Sequence, residues 1–363
     1  MLKRFLPIAL FCGALILTGA GCFSFGTDTT TVPVGPMGVF RSIDKGETWQ
    51  QNNAYPTTSG VKSLAGVKVY RIFTDPSDPN ALYLGTRGQG LFYSYDKGDS
   101  WQFMTALGQK YIYALVVDPQ NKCVIFVGDE GGHIYKTSDC GRTWVISYTD
   151  QRSTERVTAL TIDYTNGQTI YAALTGGDLF ISTDSGVTWR AAHRFNAVLQ
   201  DIQVDPLTPG RLYVASVESG LARSDDSGTT WISLSKSLQN FSDSLTFYRL
   251  LADTGKKDLV FWVSKYGILR STDAGTTWSE VKLLTPPGSV SIYAFAVNPT
   301  NQQEMYYVGT VLGDNNSSRS TFYRSEDGGI TWVTKKLPTN TIPVSLRVHP
   351  KENNIIYMGF TSL

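Results

Sequence analysis

"SEDGGITW", residues 325–332, would pass for an ordinary turn between two strands if the chain did not write it seven times. The other copies are "SIDKGETW" at 42, "SYDKGDSW" at 94, "TSDCGRTW" at 137, "STDSGVTW" at 182, "SDDSGTTW" at 224 and "STDAGTTW" at 271. In such a turn the Asp carboxylate can accept hydrogen bonds from nearby backbone N–H groups, the Gly supplies a positive φ, and the Thr hydroxyl adds a further local bond. The Trp then opens the next strand, where a large aromatic packs between neighbouring units. The aspartates, Asp44, Asp96, Asp139, Asp184, Asp226, Asp273 and Asp327, are spaced 52, 43, 45, 42, 47 and 54 residues apart. Seven equivalent carboxylates spread around an array cannot converge on one substrate. The turns therefore read as structural staples and not as a reaction centre.

A second phrase alternates with the first: "FTDPSDPNALYLG" at 73, "VVDPQNKCVIFVG" at 116, "TIDYTNGQTIYAA" at 161, "QVDPLTPGRLYVA" at 203, "AVNPTNQQEMYYV" at 296 and "RVHPKENNIIYMG" at 347, with a weaker copy, "LADTGKKDLVFWV", at 251. Each unit then holds four short β-prone runs: one before Asp-Pro, one at "LYLG", one at "GLFYS" and one starting at the Trp. Four strands every ~45 residues is the period of a β-propeller blade. No stretch has a helical pattern. The ends are complementary: the chain opens at Gly38 with a third strand and a turn, and closes at Leu346–Thr361 with a first and second strand. Pairing the two ends removes the exposed edges of an open array. The expectation is an all-β fold, a single seven-bladed propeller over 38–363, with the ring closed between its N-terminal and C-terminal strands.

At 363 residues with 41% apolar content the chain can bury a large core, and a formal net charge of +1 excludes a strong electrostatic pull toward nucleic acid. Lys3 and Arg4 precede an apolar run, Phe5–Leu17, and "TGAGC" places small residues ahead of Cys22. This resembles a bacterial lipoprotein signal, which implies removal of residues 1–21 and lipidation of Cys22. An uncleaved anchor is the alternative, and either way the globular part lies outside the cytoplasm, periplasmic or at the cell surface. Removing 1–21 leaves 30 basic and 31 acidic side chains, a net of −1. Residues 22–37, the Cys and then "FSFGTDTTTVPVGPM", are polar, Thr-rich and Gly/Pro-interrupted, and read as a tether. Cys123 and Cys140 remain as a pair. With a hairpin turning at 129–132, residue 123 lies opposite about 138, so a disulfide is geometrically reasonable; two free buried thiols are the alternative.

The turn resembles the Asp-box, or bacterial neuraminidase repeat, of sialidases, sortilin, xyloglucanase-type glycoside hydrolases and the photosystem II assembly and stability factor propellers. The likeness covers nearly all of the chain after the tether, with every Asp, Gly and Trp of the seven boxes present. One ring of exported Asp-Pro and Asp-box repeats looks most like the assembly factor group. That resemblance implies a non-catalytic scaffold binding an envelope protein or protein complex. A glycan-binding or glycosidase role, sialidase-like or xyloglucanase-like, is the alternative. Against it, "YRIF" at 70–73 departs from the sialidase Phe/Tyr-Arg-Ile-Pro pattern and aligns with the repeats "IYALVVDP" and "FYRLLADT" as an inner strand. Xyloglucanase-like enzymes use a cleft between two propellers. No isolated Asp/Glu pair stands out for glycoside hydrolysis. His133, His193 and His349 are scattered, so neither metal nor cofactor is expected.

In the Asp-box families the boxes lie on the face opposite the functional one. That implies a binding surface made by loops joining second to third strands and by the links between blades. Those segments carry Arg87, Lys110, Tyr111, Arg156, Lys265 and Tyr266 as candidates, with Asp129, Glu130, Arg152, His193, Arg194 and Glu218 beside them. Four residues before the Asp of Asp-Pro stand Arg71, Asp201 and Arg249, where other repeats have Ala114, Ala159 and Ala294. Large polar groups at positions elsewhere kept small are candidates for a channel mouth, and Arg and Tyr are types enriched at protein interfaces. The insertion "LGDNNSSRS", 312–320, lengthens one loop on that side.

Overall fold

Each repeat folds into an antiparallel sheet whose strands follow chain order. The structure is a computed structural model that describes residues 35–362 apart from 153, 254 and 314–317. The signal segment, Cys22 and most of the tether lie outside the described residues. Blade 1 consists of Val69–Thr74, Leu82–Thr86, Leu91–Ser94 and Gln102–Phe103. Blades 2 to 6 repeat that order over 112–149, 157–194, 199–233, 247–280 and 291–335. The seventh blade takes Ile342–Val348 and Ile356–Thr361 from one end of the chain and Gly38–Ser42 from the other. Gly38 pairs with Phe360 and Ser42 with Ile356. A bridge between Arg41 and Gln50 stands where its fourth strand would be. The ring closes as the complementary ends imply.

Second strands such as "IYAAL" (170–174) and "VFWVS" (260–264) are buried along their whole length, because both faces of every blade pack on neighbours. The core is accordingly divided. Seven hydrophobic clusters sit one at each blade-to-blade interface. Close approach is built in: a Cβ on Gly128 in blade 2 would lie 2.5 Å from the Val157 side chain of blade 3. The box tryptophans serve the same interfaces. Trp49 meets Phe322 of blade 6 edge-on at 5.6 Å, and Trp231 meets Phe195 of blade 3 at 5.2 Å.

The seven boxes share one hydrogen-bond pattern. In the copy at 182, the Ser182 hydroxyl donates to Asp184 at 2.8 Å and accepts from the Gly186 amide, while the Thr188 amide and hydroxyl donate to the same carboxylate at 2.9 and 2.6 Å. The first Ser or Thr of the box is buried in every copy, as Ser182 is. The sequence reading gave that hydroxyl no role, yet it links the carboxylate to the turn. Two consecutive residues take the left-handed conformation, for instance Ser185 at φ 58° and Gly186 at 78°. The hydrogen bonds around the turn stabilise the strained non-Gly residue.

Three details differ from expectation. Fourth strands begin one residue after the Trp and are short, as at Ile232–Ser233 and Ser279–Glu280. One turn of helix, Ser235–Leu238, joins blades 4 and 5, and a hairpin, Ala54–Thr57 with Gly60–Ser63, joins blades 7 and 1. The insertion in blade 6 extends a ladder rather than only a loop, since pairing runs out to Leu312 opposite Ser318. Cys123 and Cys140 are joined as a disulfide between the second strand and the box of blade 2. Pro36 and Met37 at the end of the tether stretch hydrogen-bond to Thr341 and Ala65.

The box carboxylates set an acid limit on the fold. Hydrogen bonds from the box threonines hold Asp139, Asp184, Asp226 and Asp327 down at about 2. In the unfolded chain an Asp titrates near ~3.9. The folded state is therefore favoured by these groups above about pH 4, and that contribution is lost as the pH falls toward 2. The melting temperature is expected to hold from neutral pH to about pH 4 and then drop steeply, with a shallower drop in Asp184→Asn. A flat profile between pH 4 and 2 contradicts this.

Candidate functional site

The two faces of the ring are distinguished by backbone hydrogen bonds. Each box turn bonds the loop between first and second strands of its own blade or the start of that second strand, as Lys97 N–H does Asn80, Ser185 N–H does Gln168 and Cys140 N–H does Cys123. Boxes and Asp-Pro loops thus share one face. The loops between second and third strands and the links between blades belong to the other.

On that other face every first strand carries a bulge, with the register shifting between residues 69/71, 112/114, 157/159, 199/201, 247/249, 291/294 and 343/345. A bulge leaves a residue unpaired and re-aims its side chain. The residues concerned, Tyr70, Tyr113, Thr158, Gln200, Tyr248, Tyr293 and Val344, all line one chamber of about 350 Å³ at the mouth of the central channel. Tyr70 meets Tyr113 edge-on at 5.0 Å and Tyr248 meets Tyr293 at 5.1 Å, while Tyr111 stacks on Tyr113 at 5.0 Å. The four bulge tyrosines were not singled out from sequence. The available signal was their fixed offset, five residues before Asp75, Asp118, Asp253 and Asn298.

Arg71, Arg87, Arg156 and Arg249 line the same chamber, and no acidic side chain does among the described residues. Arg249 donates to the backbone carbonyls of Tyr293 (2.9 Å) and Val344. Burial, and then the charge of Arg71, push it down to about 9. Its side chain is only half-buried by exposure, but it lines a narrow channel with protein on every side. Arginine stays protonated at neutral pH even so. Burial is the larger cause, the like charges of Arg71 and Arg347 add to it, and Asp201 offsets part of it.

Below the mouth, Arg71 of blade 1 reaches Asp201 of blade 4 at 3.0 Å, a pair 130 residues apart in sequence. Burial alone would lower the Arg71 guanidinium, and the Asp201 carboxylate more than offsets it. This ion pair is a crossbar. Arg71 is the one residue shared by the mouth chamber and a second chamber of about 200 Å³ beneath it, which Asp201 and Arg347 also line.

The remaining candidates lie apart. Lys110 sits over the Tyr135 ring at 3.9 Å and within 3.7 Å of Asp129, which also holds His133. It is engaged within blade 2. Lys265 pairs with Asp243 at 3.4 Å, and Tyr266 donates to Glu280 at 2.6 Å on the rim of a separate peripheral cavity of about 410 Å³. These two do not join the mouth. Arg152 is tied to Asp150 (2.9 Å) and Asp178 (2.7 Å), with Arg194 3.6 Å from Asp178. His193 packs on Phe195, and Glu130 and Glu218 are exposed. Among the described residues no His, Cys, Asp and Glu side chains are grouped to hold a metal ion.

Comparison with known proteins fits this geometry. The chain matches the sequence profile of the DUF6242 β-propeller domain over residues 121–360, and over 37–172 it matches that of sortilin, neurotensin receptor 3. No curated protein matches the sequence. Among solved structures, the GH74 xyloglucanase from Xanthomonas campestris superposes with a TM-score of 0.66 at 15% identity, over 89% of this chain and 52% of that one. The chain spans about half the length of that protein. YCF48 bound to a D1 peptide superposes with a TM-score of 0.60 at 16% identity, over 82% of this chain and 94% of that one. YCF48 from Cyanidioschyzon merolae gives 0.58 at 11% identity, over 81% and 96%. At such identities the likeness shows the fold alone. The chain belongs to the DUF6242 β-propeller domain family.

Proposed function

We propose that this DUF6242 propeller is a non-enzymatic binding platform whose channel mouth captures an acidic, carboxylate-bearing segment of a partner protein. The observation that carries the reading is the mouth itself: four arginines and four tyrosines converge in one chamber lined by no carboxylate among the described residues. Guanidinium forks bind carboxylates bidentately, and tyrosines supply rigid contact area at low entropic cost. Glycoside hydrolysis needs two carboxylates at a defined separation, which this chamber lacks. That YCF48 has been captured with a D1 peptide supports a polypeptide ligand. We further propose that the ring is exported and held at the envelope by lipid on Cys22. The disulfide of blade 2 supports an oxidising compartment, and among the described residues no helix is long and apolar enough to cross a membrane.

Arg87 and Arg156 test the reading best, because Arg156 is exposed and neither carries an ion pair among the described residues. An interfacial arginine contributes about 2 kcal/mol or more. The double variant Arg87→Ala/Arg156→Ala is expected to melt as the wild type does but to weaken capture of envelope proteins by on the order of 1000-fold. Capture in the wild type should fall as salt rises. Undiminished capture by the double variant, or selective retention of glycan by both proteins, overturns the proposal.

A further inference from the structure

The chamber below the crossbar has a different charge balance and faces the other way. Its lining includes Pro76, Tyr164 and Pro206, from the Asp-Pro loops, so it opens toward the box-bearing face. Three of its residues depart from the repeat. Two positions before the Asp of Asp-Pro, the other blades have Phe73, Val116, Thr161, Gln203, Leu251 and Ala296, but blade 7 has Arg347. Where most copies have Pro after the Asp, blade 3 has Tyr164. Asp201 replaces the small residue of blades 2, 3 and 6. Departures scattered over 183 residues of sequence, from 164 to 347, meet in one cavity.

Arg347 has no ion pair among the described residues; its only hydrogen bond is a long one, 3.3 Å, to the carbonyl of Leu346. Asp201 is committed to Arg71 and to the amide of Ile202. The charged lining therefore holds two guanidinium groups against one carboxylate, in a chamber whose walls combine apolar side chains such as Leu115, Leu160 and Ile202 with the polar Thr74, Thr161 and Gln203. Burial and then the Arg71 charge push Arg347 down to about 10, and the Asp201 carboxylate, already bound to Arg71, offsets only part of this. A charge in a partly enclosed chamber interacts more strongly than in bulk water.

We infer that the lower chamber is a binding site for one small oxyanion, a carboxylate or a phosphate, held between the guanidinium groups of Arg71 and Arg347. Its roughly 200 Å³ is the space of a few water molecules at ~30 Å³ each, enough for such an ion and too little for a folded partner. The anion supplies the negative charge that the repeat departures leave missing. Asp201 keeps Arg71 in place and competes with the anion for it. The site shares Arg71 with the mouth but not Arg87 or Arg156, so variants at those two and at Arg347 let the two readings fail separately.

The test is thermal melting and calorimetric titration of the full chain with sodium phosphate and sodium acetate, against sodium chloride at matched ionic strength. Saturable stabilisation by an oxyanion beyond chloride is expected. Arg347→Met should weaken that affinity at least about tenfold, and Arg347→Lys, which keeps charge but loses the fork, by less. Asp201→Asn removes the competitor and should tighten it, while Arg87→Ala/Arg156→Ala should leave it unchanged. A short peptide with a free C-terminus, compared with its amide, distinguishes a chain-terminal carboxylate from a free ion; stabilisation by the acid alone keeps the site and assigns the source. No response to phosphate, acetate or the free peptide beyond chloride, or wild-type affinity in Arg347→Met, overturns the inference.

Discussion

Removing residues 342–363 is expected to abolish cooperative unfolding altogether. The deletion takes away both long strands of blade 7 and leaves Gly38–Ser42 without its partner. Nine buried apolar side chains go with it: Ile342, Val344, Leu346, Val348, Ile355, Ile356, Tyr357, Met358 and Phe360. At about 1.5–3 kcal/mol for each large side chain, the loss exceeds the ~5–15 kcal/mol by which a domain of ordinary stability is folded. Two of the seven clusters are broken open at once, because these residues pack on blade 6 on one side and blade 1 on the other. The closing ion pairs lose their setting as well, including Lys45 with the buried Glu304 at 3.0 Å. A circular permutant that joins Thr361 to Gly38 by a short turn and opens the exposed link between blades 5 and 6 should melt cooperatively, since Gly38 already lies opposite Phe360. A truncated chain that melts like the intact one would show that closure between the ends does not hold the ring.

What was legible in the sequence was legible because it is local or repeated. The box is a motif of eight residues whose bonds stay within four positions, so Asp184, Gly186 and Thr188 could be assigned from spacing alone. Closure was readable because two incomplete blades add up to one. The site was readable only in part. Arg71 and Arg249 stood out against alanines at the same offset, but the crossbar between Arg71 and Asp201 spans the ring and has no local signature. The bulges hid the tyrosines: in a regular strand, side chains at adjacent offsets point to opposite faces, so Tyr70 and Arg71 would not be read as neighbours in one chamber. They are, because the register slips between Val69 and Arg71. Lys110 and Tyr266 failed as mouth residues for another reason. Their partners, Asp129 with Tyr135 and Glu280, come from hairpin registers that composition does not reveal.

Asp201→Ala is expected to cost more than any other single change in the channel, about 3–5 kcal/mol, and more than Arg71→Ala although both break the same contact. The asymmetry follows from what each leaves behind. Without Asp201, the guanidinium groups of Arg71, Arg249 and Arg347 remain close enough to depress one another, with no carboxylate in either chamber lining. Without Arg71, the buried Asp201 keeps Arg347 nearby as a counter-charge and the Ile202 amide as a donor, while Arg249 and Arg347 are relieved of their strongest like-charge neighbour. Replacing both partners by apolar groups, Arg71→Met with Asp201→Leu, removes the buried carboxylate and one of the three charges it balances, and should cost less than Asp201→Ala alone. Urea midpoints at unchanged slope measure all three costs. Equal losses for the two single variants, or a larger one for Arg71→Ala, would mean that the pair holds the ring by its contact and not by balancing the positive charge that the channel gathers.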